Sequence, residues 1–125
     1  MFNSILIFIG AGFGGILRYW ISNGIYFLFG RQFPYGTLVV NISGCFLMGL
    51  FFVIILERFN GIGSPLRALL LIGLLGGYTT FSSFSIETIN LFESGNWLSA
   101  LLNIFLSTTV CIAATWIDII GGRNL

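Results

Sequence analysis

The third apolar segment of the chain decides how the rest of the sequence is interpreted. Residues 67–87 are RALLLIGLLGGYTTFSSFSIE, with 19 uncharged residues between Arg67 and Glu87. A stretch of this length can cross the hydrocarbon core of a bilayer, which takes about 20 helical residues. Its second half carries adjacent glycines at 76 and 77, then five Ser or Thr residues within positions 79–85. The segment therefore predicts a transmembrane helix that is interrupted in mid-membrane.

Such an interruption favours a functional site. Non-helical backbone at membrane depth is tolerated only where it is buried in protein or lines water. Broken helices in transporters expose backbone carbonyls that bind ions. The structural alternative is a kink whose freed groups are satisfied by the neighbouring hydroxyls. Since polar groups inside membranes are costly and usually functional, we favour the first interpretation.

The composition excludes a soluble protein and several kinds of chemistry. Of 125 residues, 57% are hydrophobic and 7% are charged, whereas charged residues usually make up about 25%. The chain has no His, so the commonest general base and metal ligand is absent. Two Cys cannot form a four-ligand zinc site, and a net charge of +1 without a basic cluster argues against nucleic acid. We expect a membrane protein that is not an enzyme.

The charged residues divide the chain into four apolar segments. Arg31 and Glu57 enclose 25 uncharged residues, and Glu93 and Asp118 enclose 24. The first segment has no basic start typical of a signal peptide, so we predict one helix with Arg18 inside it. The prediction is a single all-α transmembrane domain over residues 1–125 with short loops, one at about 58–65, and spans at about 4–29, 36–56, 67–92 and 96–119.

The orientation of this domain is ambiguous. Four spans place both termini on one side, together with Arg58, Arg67 and Arg123, and leave Arg31 on the other. Three Arg against one is a weak bias under the positive-inside rule. Insertion in both orientations would allow antiparallel homodimers.

Several polar residues lie inside the predicted spans. Arg18 is either hydrogen-bonded to backbone carbonyls or an electropositive group that attracts an anion, and Glu87 is a candidate partner for it. Asn41, one turn from Thr37, makes an interhelical hydrogen bond or donates to a dehydrated anion. The fourth span has a polar stripe that we expect to face protein or a pore: Asn103, Ser107, Cys111 and Thr115, with Thr108 adjacent.

Small residues in the spans predict helix packing. Gly10 and Gly14 stand in the GxxxG spacing that lets two helices approach closely, with Gly12 and Gly15 beside them. Cys45 and Cys111 lie in mid-span, where we expect them to pack as small apolar groups.

Two motifs resemble the Fluc (CrcB) fluoride channel family. The first is GTLVVN at residues 36–41 with Gly44, and the second is GGYTTFSSFS at residues 76–85 with Glu87. The glycine-rich first span with Arg18, the length and the four spans also fit. The usual Thr-Phe-Ser-Thr-Phe of the family is TFSSF at residues 80–84, where Ser keeps the hydroxyl.

The resemblance implies a double-barrelled antiparallel homodimer in the bacterial inner membrane that lets fluoride leave the cytoplasm passively. It implies that Phe81, Phe84 and Asn41 line the pores. It further implies a structural Na⁺ at the dimer centre, held by the backbone carbonyls of Gly76 and Thr79. Candidates for a polar track along the pore are Ser82, Ser83, Ser107 and Thr108, and Arg18 is expected at the vestibule.

The chemistry of the motifs agrees with this implication. Fluoride is a small, hard anion, so a pore must replace its water with hydrogen-bond donors. Amides and hydroxyls do this without a fixed charge, and the edge of a phenyl ring carries partial positive charge. Simple packing of Phe81 and Phe84 is the alternative interpretation.

Two other classes of protein have similar dimensions. One is a proton-coupled exporter like the small multidrug resistance transporters, which rely on a Glu embedded in the first helix. The first span here contains no acid. The other is a membrane subunit that transports nothing, and five hydroxyls at an interrupted span argue against it.

Overall fold

The computed structural model describes residues 1–58 and 63–124, and it confirms the predicted all-α architecture within them. Four helices are long and apolar enough to cross a membrane. We call them spans 1 to 4: Phe2–Phe29, Tyr35–Arg58, Ser64–Glu93 and Trp97–Arg123. The described part contains no strand.

The connections between the spans are short. Span 1 ends at Phe29 and is followed by Gly30, whose φ of 84° suits glycine and whose N–H donates to the Tyr26 carbonyl at 2.8 Å. Gly95, with the same φ, lies between spans 3 and 4. Of the loop predicted at 58–65, residues 59–62 lie outside the described residues. Gly63–Leu66 is helical instead, because a proline in the first turn of a helix sacrifices no backbone hydrogen bond.

Parts of two spans wind as π-helix, which has a wider turn than the α-helix. Span 2 is α-helical over Tyr35–Phe52 and π-helical over Val53–Arg58. Span 3 is π-helical over Arg67–Leu75. The two π-helical stretches share the hydrophobic core of the chain, which includes Ile55, Leu71 and Leu75.

Glycines bring the spans together in two pairs. A Cβ at Gly10 or Gly14 would collide with the backbone of span 3, at the carbonyls of Leu69 and Leu74. Span 1 therefore packs on span 3 through the predicted GxxxG pair, whereas Gly12 and Gly15 have no neighbour within 4 Å. Span 2 packs on span 4 at Gly49, where a Cβ would lie 2.5 Å from the Thr115 carbonyl oxygen.

The predicted interruption of span 3 is confirmed, and it falls just after the two glycines. Gly76–Tyr78 is the last helical turn before it, and the helix resumes over Phe81–Glu93. Thr79 and Thr80 between them are extended, with ψ of 157° and 119°. The Thr80 hydroxyl accepts the Ser83 N–H at 3.1 Å and so caps the second helix. Both glycines are helical, and the absence of a side chain at Gly77 lets it pack on the Ala11 backbone of span 1.

Candidate functional site

A cavity of about 300 Å³ lies beside the interruption, between spans 2, 3 and 4. We call it the central groove. None of its ten lining residues is charged: Asn41, Cys45, Thr79, Thr80, Phe81, Phe84, Ser107, Thr108, Cys111 and Ile112. Five of the seven residues predicted for the pore are among them, on three different spans.

Asn41 connects span 2 to the interruption of span 3. Its Nδ2 donates to the Thr80 carbonyl at 2.9 Å, and its Oδ1 accepts the Thr80 N–H at 2.8 Å. The interhelical interpretation of Asn41 therefore applies. Since an amide nitrogen carries two protons, one N–H of Asn41 remains for a second acceptor.

The interruption separates two carbonyls from their usual helical partners. The Thr80 N–H, which would bond the Gly76 carbonyl in a continuous helix, donates to Asn41. The Ser83 N–H, which would bond the Thr79 carbonyl, donates to the Thr80 hydroxyl. Gly76 is exposed on the surface of the chain. Two carbonyl oxygens at one interruption are a donor set that suits a hard cation such as Na⁺.

Arg18 interacts with the same segment from span 1. Its Nε donates to the Gly77 carbonyl at 3.2 Å, whose helical partner would have been Phe81. Arg18 thus satisfies a backbone acceptor freed by the interruption. Its suggested pairing with Glu87 is wrong within the described residues, where the single ion pair joins Arg123 to Glu57.

Glu87 instead forms a cluster with two hydroxyls, one of which the sequence analysis missed. The Tyr26 hydroxyl donates to its Oε2 at 2.9 Å, and the Thr37 hydroxyl donates to its Oε1 at 2.6 Å. The Arg31 guanidinium lies 4.6 Å from the centre of the Tyr26 ring, a cation–π distance. A cavity of about 650 Å³ opens here, lined by Tyr26, Arg31 and Glu87 among others. The sequence pointed to Thr37 only, because it lies one helical turn before Asn41, and it gave no sign of Tyr26.

The two predicted phenylalanines differ in their surroundings. Phe84 is buried, with 8% of its surface exposed, whereas Phe81 is 76% exposed. Their ring centroids are 5.3 Å apart with a tilt of 49°. Phe84 therefore packs within the chain, and Phe81 presents most of its ring outside it.

The polar stripe of span 4 faces protein, as expected. Asn103 is 2% exposed and donates to the Thr88 hydroxyl at 2.9 Å. The Ser107 hydroxyl donates to Asn103 Oδ1 at 3.3 Å, and the Thr108 hydroxyl donates to the Ile104 carbonyl at 2.8 Å. Ser107 and Thr108 thus border the groove with hydroxyls that already have partners.

Ser82 and Ser83, the other polar-track candidates, do not line the groove. The Ser82 hydroxyl lies 3.2 Å from that of Thr80, and the Ser83 backbone is bound in the helix cap. Both sit in the first turn after the interruption. Their positions support the local backbone rather than the wall of the cavity.

Comparison with known proteins agrees with the resemblance found in the sequence. Residues 5–119 match the family described as CrcB-like protein, Camphor Resistance (CrcB). A fluoride-specific ion channel FluC of Coxiella burnetii is 57% identical over 123 residues, which cover 98% of this chain and 99% of that protein. Proteins of the same name from Magnetococcus marinus and Geobacter sulfurreducens are 44% identical over 115 residues and 43% identical over 125. The alignments cover 92% of this chain and 93% of the Magnetococcus protein, and the whole of both chains for Geobacter. The chain therefore belongs to the CrcB family.

Proposed function

We propose that the chain is a fluoride channel that gives passive fluoride efflux from the cytoplasm and so lowers fluoride toxicity. It is a multi-pass protein of the bacterial inner membrane, with four spans. The observation that carries the proposal is the central groove, which gathers an amide, two phenyl rings and four hydroxyl-bearing residues without a charged residue. Relatives named fluoride-specific ion channels align with nearly the whole chain.

Fluoride passes along the groove by exchanging water for these donors. The free N–H of Asn41 offers one hydrogen bond, and the edges of Phe81 and Phe84 offer partial positive charge. The hydroxyls of Ser107 and Thr108 donate to neighbouring acceptors at rest. Turning either hydroxyl toward fluoride costs an existing bond, so binding stays weak enough for the ion to leave. Ser82 and Ser83 continue the track outside the groove.

The functional unit is an antiparallel homodimer with two pores. The groove is open along one side of a single chain, and Phe81 beside it is 76% exposed. A second copy in the opposite orientation covers the exposed ring and completes the wall of each pore. The weak orientation bias of the Arg residues supports dual topology, and two-fold symmetry produces the second pore.

A structural Na⁺ is held where the two interruptions meet. The Gly76 and Thr79 carbonyls, both separated from their helical amide partners, would supply two ligands per chain and four per dimer. When bound, the ion compensates for carbonyls that would otherwise be unsatisfied in a dry interface. Arg18 holds the neighbouring Gly77 carbonyl and places a positive charge at the vestibule.

Anion efflux from liposomes tests the proposed function. Purified protein is reconstituted into vesicles loaded with potassium fluoride or potassium chloride, and a potassium ionophore starts the efflux. Fluoride should leave rapidly and chloride should not. Export of a cationic drug driven by a proton gradient would instead indicate the exporter class. If no substrate moves faster than from protein-free vesicles, the proposal is wrong.

A further inference from the structure

The two thiols of the chain lie in the same wall of the central groove. Cys45 and Cys111 are the only cysteines in the sequence, and both are free. Cys45 comes from span 2 and Cys111 from span 4, and both line the cavity. The sequence predicted only that each cysteine packs as a small apolar group. That both thiols border the same cavity is an additional observation.

Contacts between spans 2 and 4 bring the two cysteines to the same cavity. The Thr115 hydroxyl, one turn beyond Cys111, donates to the Cys45 carbonyl at 2.8 Å. Gly49, one turn beyond Cys45, lets the Thr115 backbone approach span 2. These contacts hold spans 2 and 4 against each other one turn beyond the two cysteines. Little movement of the helices is therefore needed for both sulfurs to bind one ion.

The ligand set determines which metals fit. Throughout residues 1–58 and 63–124, no third His, Cys, Asp or Glu joins the pair. A structural zinc site takes four ligands, so two thiolates alone do not suit it. Soft sulfur ligands select soft ions such as Cu(I), and Cu(I) and Ag(I) accept two-coordinate binding. We propose that Cys45 and Cys111 together bind one soft monovalent metal ion in the wall of the central groove.

Binding is a ligand exchange without oxidation or reduction. Each thiol loses its proton to solvent as its sulfur bonds the metal, so two protons leave for each ion bound. Two thiolates and one monovalent cation leave a complex with one net negative charge. A fixed negative charge in this wall repels an anion in the groove. Metal binding therefore blocks fluoride conduction, a consequence that rests on the proposed function.

Silver binding tests the site without reference to transport. Silver nitrate is titrated into the purified chain in chloride-free buffer, and bound silver is measured after dialysis. The wild-type chain should bind one silver ion per chain. C45S and C111S should each bind about 100-fold more weakly, because the loss of one thiolate removes the chelate. A wild-type chain that binds no silver, or single variants that keep its affinity, would overturn the proposal.

Fluoride efflux provides the second measurement, with each protein normalised to its own metal-free rate. Silver should stop efflux through the wild type, excess dithiothreitol should restore it, and C111S should keep its rate at the same silver concentration. Silver that binds stoichiometrically without slowing efflux would contradict the location of the path in the groove, while the metal site would stand. A protein that conducts no fluoride before silver is added would contradict the proposed function alone.

Discussion

The side chain of Asn41 makes the hydrogen bonds that span 3 lacks at Thr80. Both atoms of its amide are used, one on the Thr80 carbonyl at 2.9 Å and one on the Thr80 N–H at 2.8 Å. A side chain of span 2 thereby stabilises an extended residue at membrane depth, where unpaired backbone groups are expensive. Asn41 has a structural role in addition to its proposed contact with fluoride.

We expect Asn41→Asp to impair both stability and conduction. The carboxylate still accepts the Thr80 N–H but no longer donates to the Thr80 carbonyl, and leaving this partly buried acceptor unsatisfied costs about 1 kcal/mol. Its charge also repels fluoride. The melting temperature in detergent and fluoride efflux should both fall. Asn124→Asp makes the same exchange at an exposed residue beyond span 4, and it should change neither.

Phe81→Ile and Phe84→Ile should separate the two ring environments. Both substitutions remove the polarised ring edge, so fluoride efflux should drop at least tenfold in each. Phe84 is buried, so its replacement should also lower the melting temperature by an amount equivalent to about 1 kcal/mol. Phe81 is exposed in the single chain, so its replacement should lower the melting temperature less than that of Phe84. Wild-type efflux in both variants would contradict their assignment to the pore.

The sequence predicted the existence of the elements better than their local geometry. Charge spacing located the spans, because each uncharged stretch has the length that a bilayer needs. The interruption was visible in GGYTT, yet its bend falls on Thr79 and Thr80. Both glycines remain helical, and Gly77 is required for close contact with span 1 at Ala11. A tertiary contact of this kind leaves no local signal.

The same limit applies to the site residues. Residue type indicated Asn41, Phe81 and Phe84, since polar or paired aromatic groups stand out in an apolar chain. The partners of Glu87 could not be read in the same way. Tyr26 lies 61 positions away, and in the sequence it is one of many aromatic residues in the spans. Only the packing of spans 1 and 3 reveals that contact.

A matched pair of glycines tests the packing of span 1. Gly14→Ala should destabilise the chain by about 1–3 kcal/mol, because its Cβ collides with the Leu74 carbonyl of span 3. Gly15→Ala meets nothing within 4 Å and should be neutral or slightly stabilising, since Ala favours helix over Gly by about 1 kcal/mol. Thermal unfolding in detergent measures both. Equal destabilisation by the two substitutions would contradict the orientation of span 1.

Forcing one orientation should abolish conduction if the dimer is antiparallel. The ends of spans 2 and 4 share one face of the bundle, where Arg123 meets Glu57 at 3.0 Å. Extra Lys residues beside Asn124 or beside Gln32 bias insertion in opposite senses. Cells or vesicles that contain only one version should show no fluoride efflux, and co-expression of both versions should restore it. Full activity of either version in a uniformly oriented population would exclude the antiparallel arrangement.

Replacement of sodium should weaken the dimer. The Gly76 and Thr79 carbonyls, separated from their helical amide partners, are the proposed ligands at the two-fold axis. Exchanging sodium for a large organic cation at constant ionic strength removes the ion that is proposed to bind the four carbonyls. We expect a larger monomer fraction in detergent, measured by size-exclusion chromatography with light scattering, and slower fluoride efflux. An unchanged dimer after complete exchange of the bound sodium would contradict the site.

Substitutions near the interruption distinguish a residue at the proposed two-fold axis of the dimer from a residue that the single chain needs to fold. A Cβ at Gly76 would lie 3.7 Å from its nearest atom, the Leu71 carbonyl oxygen, so Gly76→Ala fits within one chain. Gly77→Ala does not, since its Cβ would lie 2.6 Å from the Ala11 carbonyl oxygen. Gly76→Leu should therefore weaken the dimer and its sodium dependence while each chain stays folded, whereas Gly77→Leu should unfold the chain.

Thr79→Ser keeps the backbone carbonyl and the hydroxyl bonded to Leu75, so it should preserve dimer and efflux. Sodium dependence that stays unchanged in the Gly76→Leu variant would contradict the proposed ligands at the axis.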